Sequence, residues 1–175
     1  MKRLNLVFEI ALLWTAMGII LSSIPAHAAQ YESLLPLLSD FSGWEAEEAE
    51  GIDMDMGGTK MIQAMRLYTQ GNKEVGAMVM IGNSMMTQAQ MQGMQSMETE
   101  SQDAKVQVTT VDGFQVSLHH VKNAAEGAVV VLLASSQQKG ATFVLHYKGL
   151  SEDEGLAFAK KFDWKKMQQA AKELM

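Results

Sequence analysis

The sequence predicts an α+β domain that is built mainly on an antiparallel sheet. Two stretches rich in strand patterns, residues 52–81 and 105–147, are each followed by a helical pattern, and short glycine-containing turns separate their strands. Runs of antiparallel strands punctuated by helices are typical of this fold class. The expected element order is β-β-β-α-β-β-β-β-α.

The first 28 residues have the features of an export signal. Lys2 and Arg3 give a basic start, residues 10–24 form an apolar run of about 15 residues, and an Ala-x-Ala motif ends at Ala28. A helix that spans a bilayer needs about 20 apolar residues. We therefore predict cleavage after Ala28, a periplasmic or secreted location, and no stable membrane insertion after cleavage.

The chain is expected to comprise this signal peptide (1–28), an N-terminal lead-in (29–43) and one α+β domain (44–175). Removing 28 of the 175 residues leaves 147, which is enough for a single domain with a core of its own. Loss of Lys2, Arg3 and Glu9 changes the net charge from −6 to −7, so nucleic acid is not an expected partner. The absence of cysteine excludes disulfides and thiolate metal sites.

Residues 61–81 are predicted to form a hairpin. A two-residue Gly71-Asn72 turn suits it, because glycine reaches positive φ without steric cost. This turn fixes the register and places Met65 opposite Met78. Both faces of the hairpin are largely apolar, so we expect it to be central and covered on both sides.

Residues 85–98 are predicted to form an amphipathic helix that covers the Met65/Met78 face. Ser84 is a candidate cap, and thioethers occupy an arc of about 140° on the helix. The methionines in this arc are Met86, Met91, Met94 and Met97.

A second hairpin is expected over residues 105–121, with two possible registers. A two-residue Asp-Gly loop would put Gln107 and Thr109 on the face of Val116, whereas a three-residue loop that includes Val111 would put valines there. The second register pairs apolar with apolar side chains and is the one that we favour.

The last third of the chain contains two more strands and a helical end. Residues 127–134 are a continuous apolar run, expected to be a strand buried on both faces, and residues 141–147 follow with an alternating pattern. Ser151 and Glu154 form a capping box that begins either one bent helix or two.

No catalytic constellation, phosphate loop or cofactor fingerprint is recognisable, so the sequence predicts a non-enzyme with no catalytic or cofactor-binding residues. The acidic segment that starts at Asp53 begins like a calcium loop but has Ala64 where the twelfth position requires glutamate. We interpret it as a solvated acidic edge that discourages strand-to-strand aggregation.

Methionine is the first candidate metal ligand. The chain has 15 methionines, of which 13 remain without Met1 and Met17. Thioether is a soft ligand suited to Cu(I), but methionine also fills irregular cores, so packing is the first interpretation and Cu(I) binding the alternative. The candidate ligands are Met91, Met94 and Met97, with Met54 and Met56 as a second cluster.

Two histidines and one arginine complete the candidate residues. His119 and His146 would share an outward face if their strands are neighbours, although two histidines without a third ligand make a weak metal site. Arg66 lies in an apolar hairpin and could anchor an anionic ligand, but a snorkelling arginine or one paired with a carboxylate is the favoured interpretation.

These observations predict an exported, soluble, non-catalytic binding or accessory protein of the bacterial envelope. Its expected partner is an envelope protein or an apolar small molecule. A methionine-rich Cu(I)-binding protein and a carrier of apolar ligands or lipids remain alternatives.

Overall fold

The structure is a computed structural model that describes residues 29–56, 59–83, 104–121 and 124–175. Its elements are two short 3₁₀ turns, eight strands and two α-helices. In chain order they are the turns Gln30–Ser33 and Leu35–Leu37, the strands β1 (Glu45–Ala46), β2 (Glu50–Met56), β3 (Thr59–Gln70), β4 (Lys73–Asn83), β5 (Ala104–Val111), β6 (Phe114–Val121), β7 (Glu126–Ser135) and β8 (Lys139–Lys148), and the helices α1 (Glu152–Ala159) and α2 (Trp164–Leu174).

All eight strands form one sheet in the order β1-β3-β4-β8-β7-β6-β5, with β2 also paired to β3. Every pairing in this sheet is antiparallel. The prediction of an α+β domain dominated by an antiparallel sheet is therefore confirmed. The pairing of β4 with β8 brings together strands that are distant in sequence, and it places the C-terminal half of the chain beside the first hairpin.

The predicted register of the first hairpin is confirmed. Met65 lies opposite Met78 across β3 and β4, and Gly71 in the turn has a φ of +62°. A positive φ at this position explains the glycine, because a side chain would be strained there. Neither strand is at an edge of the sheet, since β3 also pairs with β1 and β2 and β4 pairs with β8.

The favoured register of the second hairpin is wrong. Val111 lies opposite Phe114, so the loop has two residues, Asp112 and Gly113, with φ of +51° and +86°. Positive φ at both positions defines the type I′ turn that matches the twist of a hairpin. Apolar matching misled because β5 is an edge strand, where Lys105 on the helix-facing side forms an ion pair with Glu152 of α1.

The main core lies between one face of the sheet and the two helices. Tyr68 and Phe143 of the sheet meet Phe158 of α1 and Phe162, with ring centroids 4.9–6.0 Å apart. Leu34 and Leu38 of the lead-in are fully buried in the same cluster. We call this side of the sheet the helix face.

The C-terminal end forms two helices, α1 and α2, rather than one bent helix. Ser151 and Glu154 form both bonds of the predicted capping box at the start of α1. Asp163 caps α2, with Oδ1 accepting the Lys166 N–H at 3.0 Å. Within the described parts of the chain, no helix has the length and apolar character to span a bilayer.

Two predictions lie outside the described residues. These are the signal peptide at 1–28 and the methionine-rich helix at 85–98.

Candidate functional site

The side of the sheet opposite the helix face carries thioether side chains on three adjacent strands. We call it the methionine face, because the register places on it five methionines whose side chains the structure describes. They are Met54, Met61, Met65, Met78 and Met80. Met167 of α2, by contrast, is completely buried in the core of the helix face.

A row of cross-strand neighbours brings both candidate histidines onto the methionine face. The row runs Leu67, Gly76, His146, Ala128, His119 across β3, β4, β8, β7 and β6. The expectation that His119 and His146 share an outward face is therefore confirmed, with one strand between them. Glycine and alanine flank His146 on either side, so its imidazole lies between two positions without bulk. We call this line of residues the histidine row.

The histidine row forms part of a broad hollow with a volume of about 820 Å³. Apolar side chains make most of its lining, and Glu74, Glu126 and Lys148 lie at one end of it. A hollow with an apolar lining and few polar groups is the usual form of a ligand site. Met65, which is 40% exposed, also lines it.

The middle of the methionine face forms a second, smaller apolar cluster. Val130 and Val144 are only 2% and 3% exposed and pack with Met78 and Leu132. Ser117 and Thr142, on the same face, are 0% and 1% exposed. Helices α1 and α2 contribute to the core of the other face, so among the described residues no helix accounts for this burial.

His119 is held in place by a buried hydroxyl. Its Nε2 atom lies 3.1 Å from the Oγ atom of Ser117. Burial lowers the pKa of His119 below its usual value of 6.5, and the nearby charge of His146 lowers that pKa further. The neutral imidazole is therefore favoured, which is the form that binds a metal ion.

His120, the next residue, faces the opposite side of the sheet and has a different environment. Its Nδ1 atom lies 3.1 Å from Tyr147 Oη, and the two rings stack with centroids 6.1 Å apart. Burial is the main cause that raises the pKa of Tyr147 to about 12. The sequence analysis missed this pair, because no local sequence pattern indicates that residues of β6 and β8 contact each other across β7.

Arg66 is paired with a carboxylate, as favoured from the sequence. Its Nη2 atom lies 2.6 Å from Asp40 Oδ1, while Nε and Nη1 donate to the carbonyl oxygens of Glu47 and Leu38 at 2.7 Å each. The bonds to Leu38 and Asp40 connect the lead-in to β3. Arg66 also lies over the Tyr68 ring, 5.6 Å from its centroid. The contacts of Arg66 are therefore structural, and they lie at the edge of the core.

The acidic segment lies on an edge strand and has a structural contact. Both carboxylate oxygens of Asp53 accept backbone N–H groups, from Gln30 at 2.6 Å and from Tyr31 at 3.1 Å. The carboxylate thus satisfies donors at the start of the first 3₁₀ turn. Among the described strands β2 pairs with β3 alone, which agrees with the interpretation as an acidic edge.

The metal candidates divide between described and undescribed residues. Met91, Met94 and Met97 lie outside the described residues, as does the side chain of Met56. Among the described residues, no group of three or more histidine, aspartate or glutamate side chains is placed to hold a metal ion. His119 and His146 remain as a two-residue candidate.

No protein-family model matches this chain, no curated protein matches its sequence, and no solved structure matches it.

Proposed function

We propose that this chain is an exported, non-catalytic binding or accessory protein of the bacterial envelope, and that the hollow on its methionine face is the ligand site. The observation that carries the proposal is this hollow of about 820 Å³, which Met65, Leu67 and Met78 line together with valines. The hollow has room for a compact apolar ligand or for an apolar segment of a partner protein.

The chemistry of the lining supports an apolar ligand. Methionine side chains are flexible and polarisable, so they adapt to irregular apolar shapes. Gly76 and Ala128, the cross-strand neighbours of His146, have small or no side chains and so leave space in the hollow. Glu74, Glu126 and Lys148 form one cross-strand row at an end of the hollow.

A fluorescent apolar probe such as anilinonaphthalene sulfonate tests the site. We expect Met65→Gln to weaken probe binding by about tenfold, since a polar group buried without a hydrogen-bond partner costs about 1–3 kcal/mol. Ile52→Gln is the matched control, because Ile52 is 46% exposed and does not line the hollow. Equal effects of the two substitutions would contradict the proposed site. Lipid and protein mass spectrometry of material that co-purifies from cell envelopes would then identify the natural ligand.

The same proposal includes the methionine-rich helix predicted at residues 85–98, which would cover the middle of the methionine face. Val130, Val144, Ser117 and Thr142 are at most 3% exposed there, and a face buried to this degree requires a covering layer. The chain ends that flank the segment support this placement. Asn83 lies opposite Lys139 near one end of the sheet, whereas Ala104 lies opposite Val121 near the other.

Disulfide cross-linking tests this cover directly, because the chain has no cysteine of its own. We expect Val130→Cys to cross-link with Met91→Cys or Met94→Cys under mild oxidation. Gln92→Cys is the matched control, since at 100° per residue position 92 falls outside the predicted thioether arc, on the polar side with Gln88 and Gln95. Equal cross-linking of Gln92→Cys and Met91→Cys would refute the predicted orientation, and no cross-link with any of them would refute the cover.

Export is proposed from the basic and apolar pattern of the first 28 residues. The intact mass of the protein from a bacterial envelope fraction decides this point. A mass that begins at Ala29 supports cleavage and export, whereas a mass that retains residues 1–28 in the membrane fraction would contradict a soluble exported protein.

A further inference from the structure

We propose that His119 and His146 form a binding site for one late transition-metal ion, with Cu²⁺ held most tightly. The proposal goes beyond binding of an apolar ligand and has its own test. It starts from the histidine row, in which Ala128 lies opposite His119 on one side and opposite His146 on the other.

The separation of the two histidines suits ligands to one ion. Neighbouring strands are about 4.8 Å apart, so two residues on either side of one strand have Cα atoms about 10 Å apart. Each imidazole reaches several ångströms from its backbone, and a metal–nitrogen bond adds about 2 Å on each side. Two imidazoles can therefore converge above Ala128, whose side chain is a single methyl group.

The two histidines differ in a way that favours a metal site. Ser117 Oγ, which is fully buried, lies 3.1 Å from His119 Nε2 and leaves Nδ1 as the available nitrogen. An outer partner of this kind fixes the ring orientation of a metal-binding histidine. His146 is exposed, so an ion arrives from solvent through this side chain.

The charges around the pair are few and mixed. Glu126 and Lys148 lie two cross-strand pairs further along β7 and β8, with 3.8 Å between Lys148 Nζ and Glu126 Oε1, and Glu74 faces the same end from β4. Lys105 on β5 lies on the helix face, where it pairs with Glu152. No excess of positive charge among these groups opposes a cation.

The ligand chemistry selects the class of metal. Imidazole nitrogen suits copper, nickel and zinc, whereas calcium and magnesium require oxygen ligands. Among divalent ions on nitrogen ligands, Cu²⁺ binds most strongly. We therefore expect the affinity order Cu²⁺ > Ni²⁺ and Cu²⁺ > Zn²⁺ at this site.

Calorimetric titration of the purified chain that begins at Ala29 with Cu²⁺, combined with electron paramagnetic resonance, tests the proposal. We expect one ion per chain and a spectrum with two coupled imidazole nitrogens. His146→Gln should weaken Cu²⁺ binding at least about tenfold. Tenfold is the lower end of the loss of affinity caused by substituting even a residue that only supports a metal ligand. His119→Gln should have the same effect.

His120→Gln is the matched control, because His120 is adjacent in sequence but faces the helices and contacts Tyr147. It should leave Cu²⁺ binding unchanged. His146 is exposed, so its substitution keeps the proposal testable even if His119→Gln fails to fold. Unchanged Cu²⁺ affinity in His146→Gln, equal losses in His120→Gln, or a spectrum with no imidazole nitrogen would each overturn the proposal.

Discussion

At the scale of single residues, two glycines determine where Tyr147 lies. A Cβ atom built at Gly127 of β7 would overlap the hydroxyl end of Tyr147, and a Cβ atom built at Gly155 of α1 would overlap its ring. The aromatic ring therefore fits between sheet and helix only because both neighbours lack a side chain. This arrangement also holds Tyr147 Oη within 3.1 Å of His120 Nδ1.

Gly155→Ala should lower the free energy of unfolding by about 1–3 kcal/mol, the usual cost of an extra methyl group in a packed core. This result runs against helix propensity, which favours alanine over glycine by about 1 kcal/mol. Ala157→Gly is the control in the same helix, where we expect glycine to be the less stable residue by that amount, since Ala157 is exposed. Urea unfolding measures both. An increased midpoint for Gly155→Ala would show that the ring does not occupy this position.

Arg66 is a second case in which one side chain decides the local structure. Arg66→Met keeps most of the side-chain length but leaves the carbonyl oxygens of Leu38 and Glu47 without this donor. We expect a loss of about 1–3 kcal/mol, because the part-buried Leu38 carbonyl is left without a partner, whereas the exposed Glu47 carbonyl binds water instead. Asp40→Asn should cost less than about 1 kcal/mol, since the Asp40 side chain is 83% exposed. If the two variants unfold at the same urea concentration, the carbonyl bonds do not secure the lead-in.

At the scale of elements, the first turn of α1 is attached to the first hairpin by charge. Glu154 Oε2 accepts the Ser151 N–H at 2.9 Å, and Glu154 Oε1 lies 2.9 Å from Lys73 Nζ at the start of β4. The bond from Ser151 is the largest cause that lowers the pKa of Glu154 from 4.5 to about 2, and the bond from Lys73 is the next. The capping box thus joins helix and hairpin as well as starting the helix.

The lowered pKa of Glu154 predicts a specific acid response. Because the carboxyl binds its proton more weakly in the folded protein, its stabilising contribution is present above pH 4.5 and is lost as the pH falls towards about 2. In Glu154→Gln, which retains a capping-box residue type, the unfolding free energy should fall less steeply over this range. Asp153→Asn, on the same helical turn but outside the box, is the control. Identical slopes for wild type and Glu154→Gln would contradict the prediction.

The elements also show which local patterns were sufficient for prediction. Alternation and the Gly71-Asn72 turn predicted the register of β3 and β4 correctly, because a two-residue loop allows only one pairing of the strands that it joins. The two-residue Asp112-Gly113 turn also gives the correct register of β5 and β6, and the preference for apolar matching over this turn was the error. In an edge strand, turn geometry constrains the register more strongly than burial does.

At the scale of the whole molecule, the candidate site depends on contacts between distant parts of the chain. The order β4-β8-β7-β6 puts His146 and His119 in one row, and no periodicity in the sequence states that β8 inserts beside β4. The shared face of the two histidines was predicted only on condition that their strands are neighbours. The contacts of Arg66 with the lead-in were unpredictable in detail for the same reason, since they join residues 26–28 positions apart.

The division of methionines between the two faces predicts an order of chemical oxidation. Met65 is 40% exposed on the methionine face, whereas Met167 is fully buried among the aromatic and aliphatic residues of the helix face. Oxidation of methionine to the sulfoxide follows exposure, so mild peroxide should modify Met65 well before Met167. Peptide mass spectrometry over a time course measures both rates in one sample.

The same measurement in urea is the control for intrinsic reactivity, because both thioethers are equally accessible in the unfolded chain. There the two rates should converge. In the folded protein, Met167 should be modified only through global unfolding, so its rate should rise with urea in parallel with the unfolded population. Equal rates at Met65 and Met167 without denaturant would mean that α2 does not seal the core, and the two-faced arrangement of this sheet would have to be abandoned.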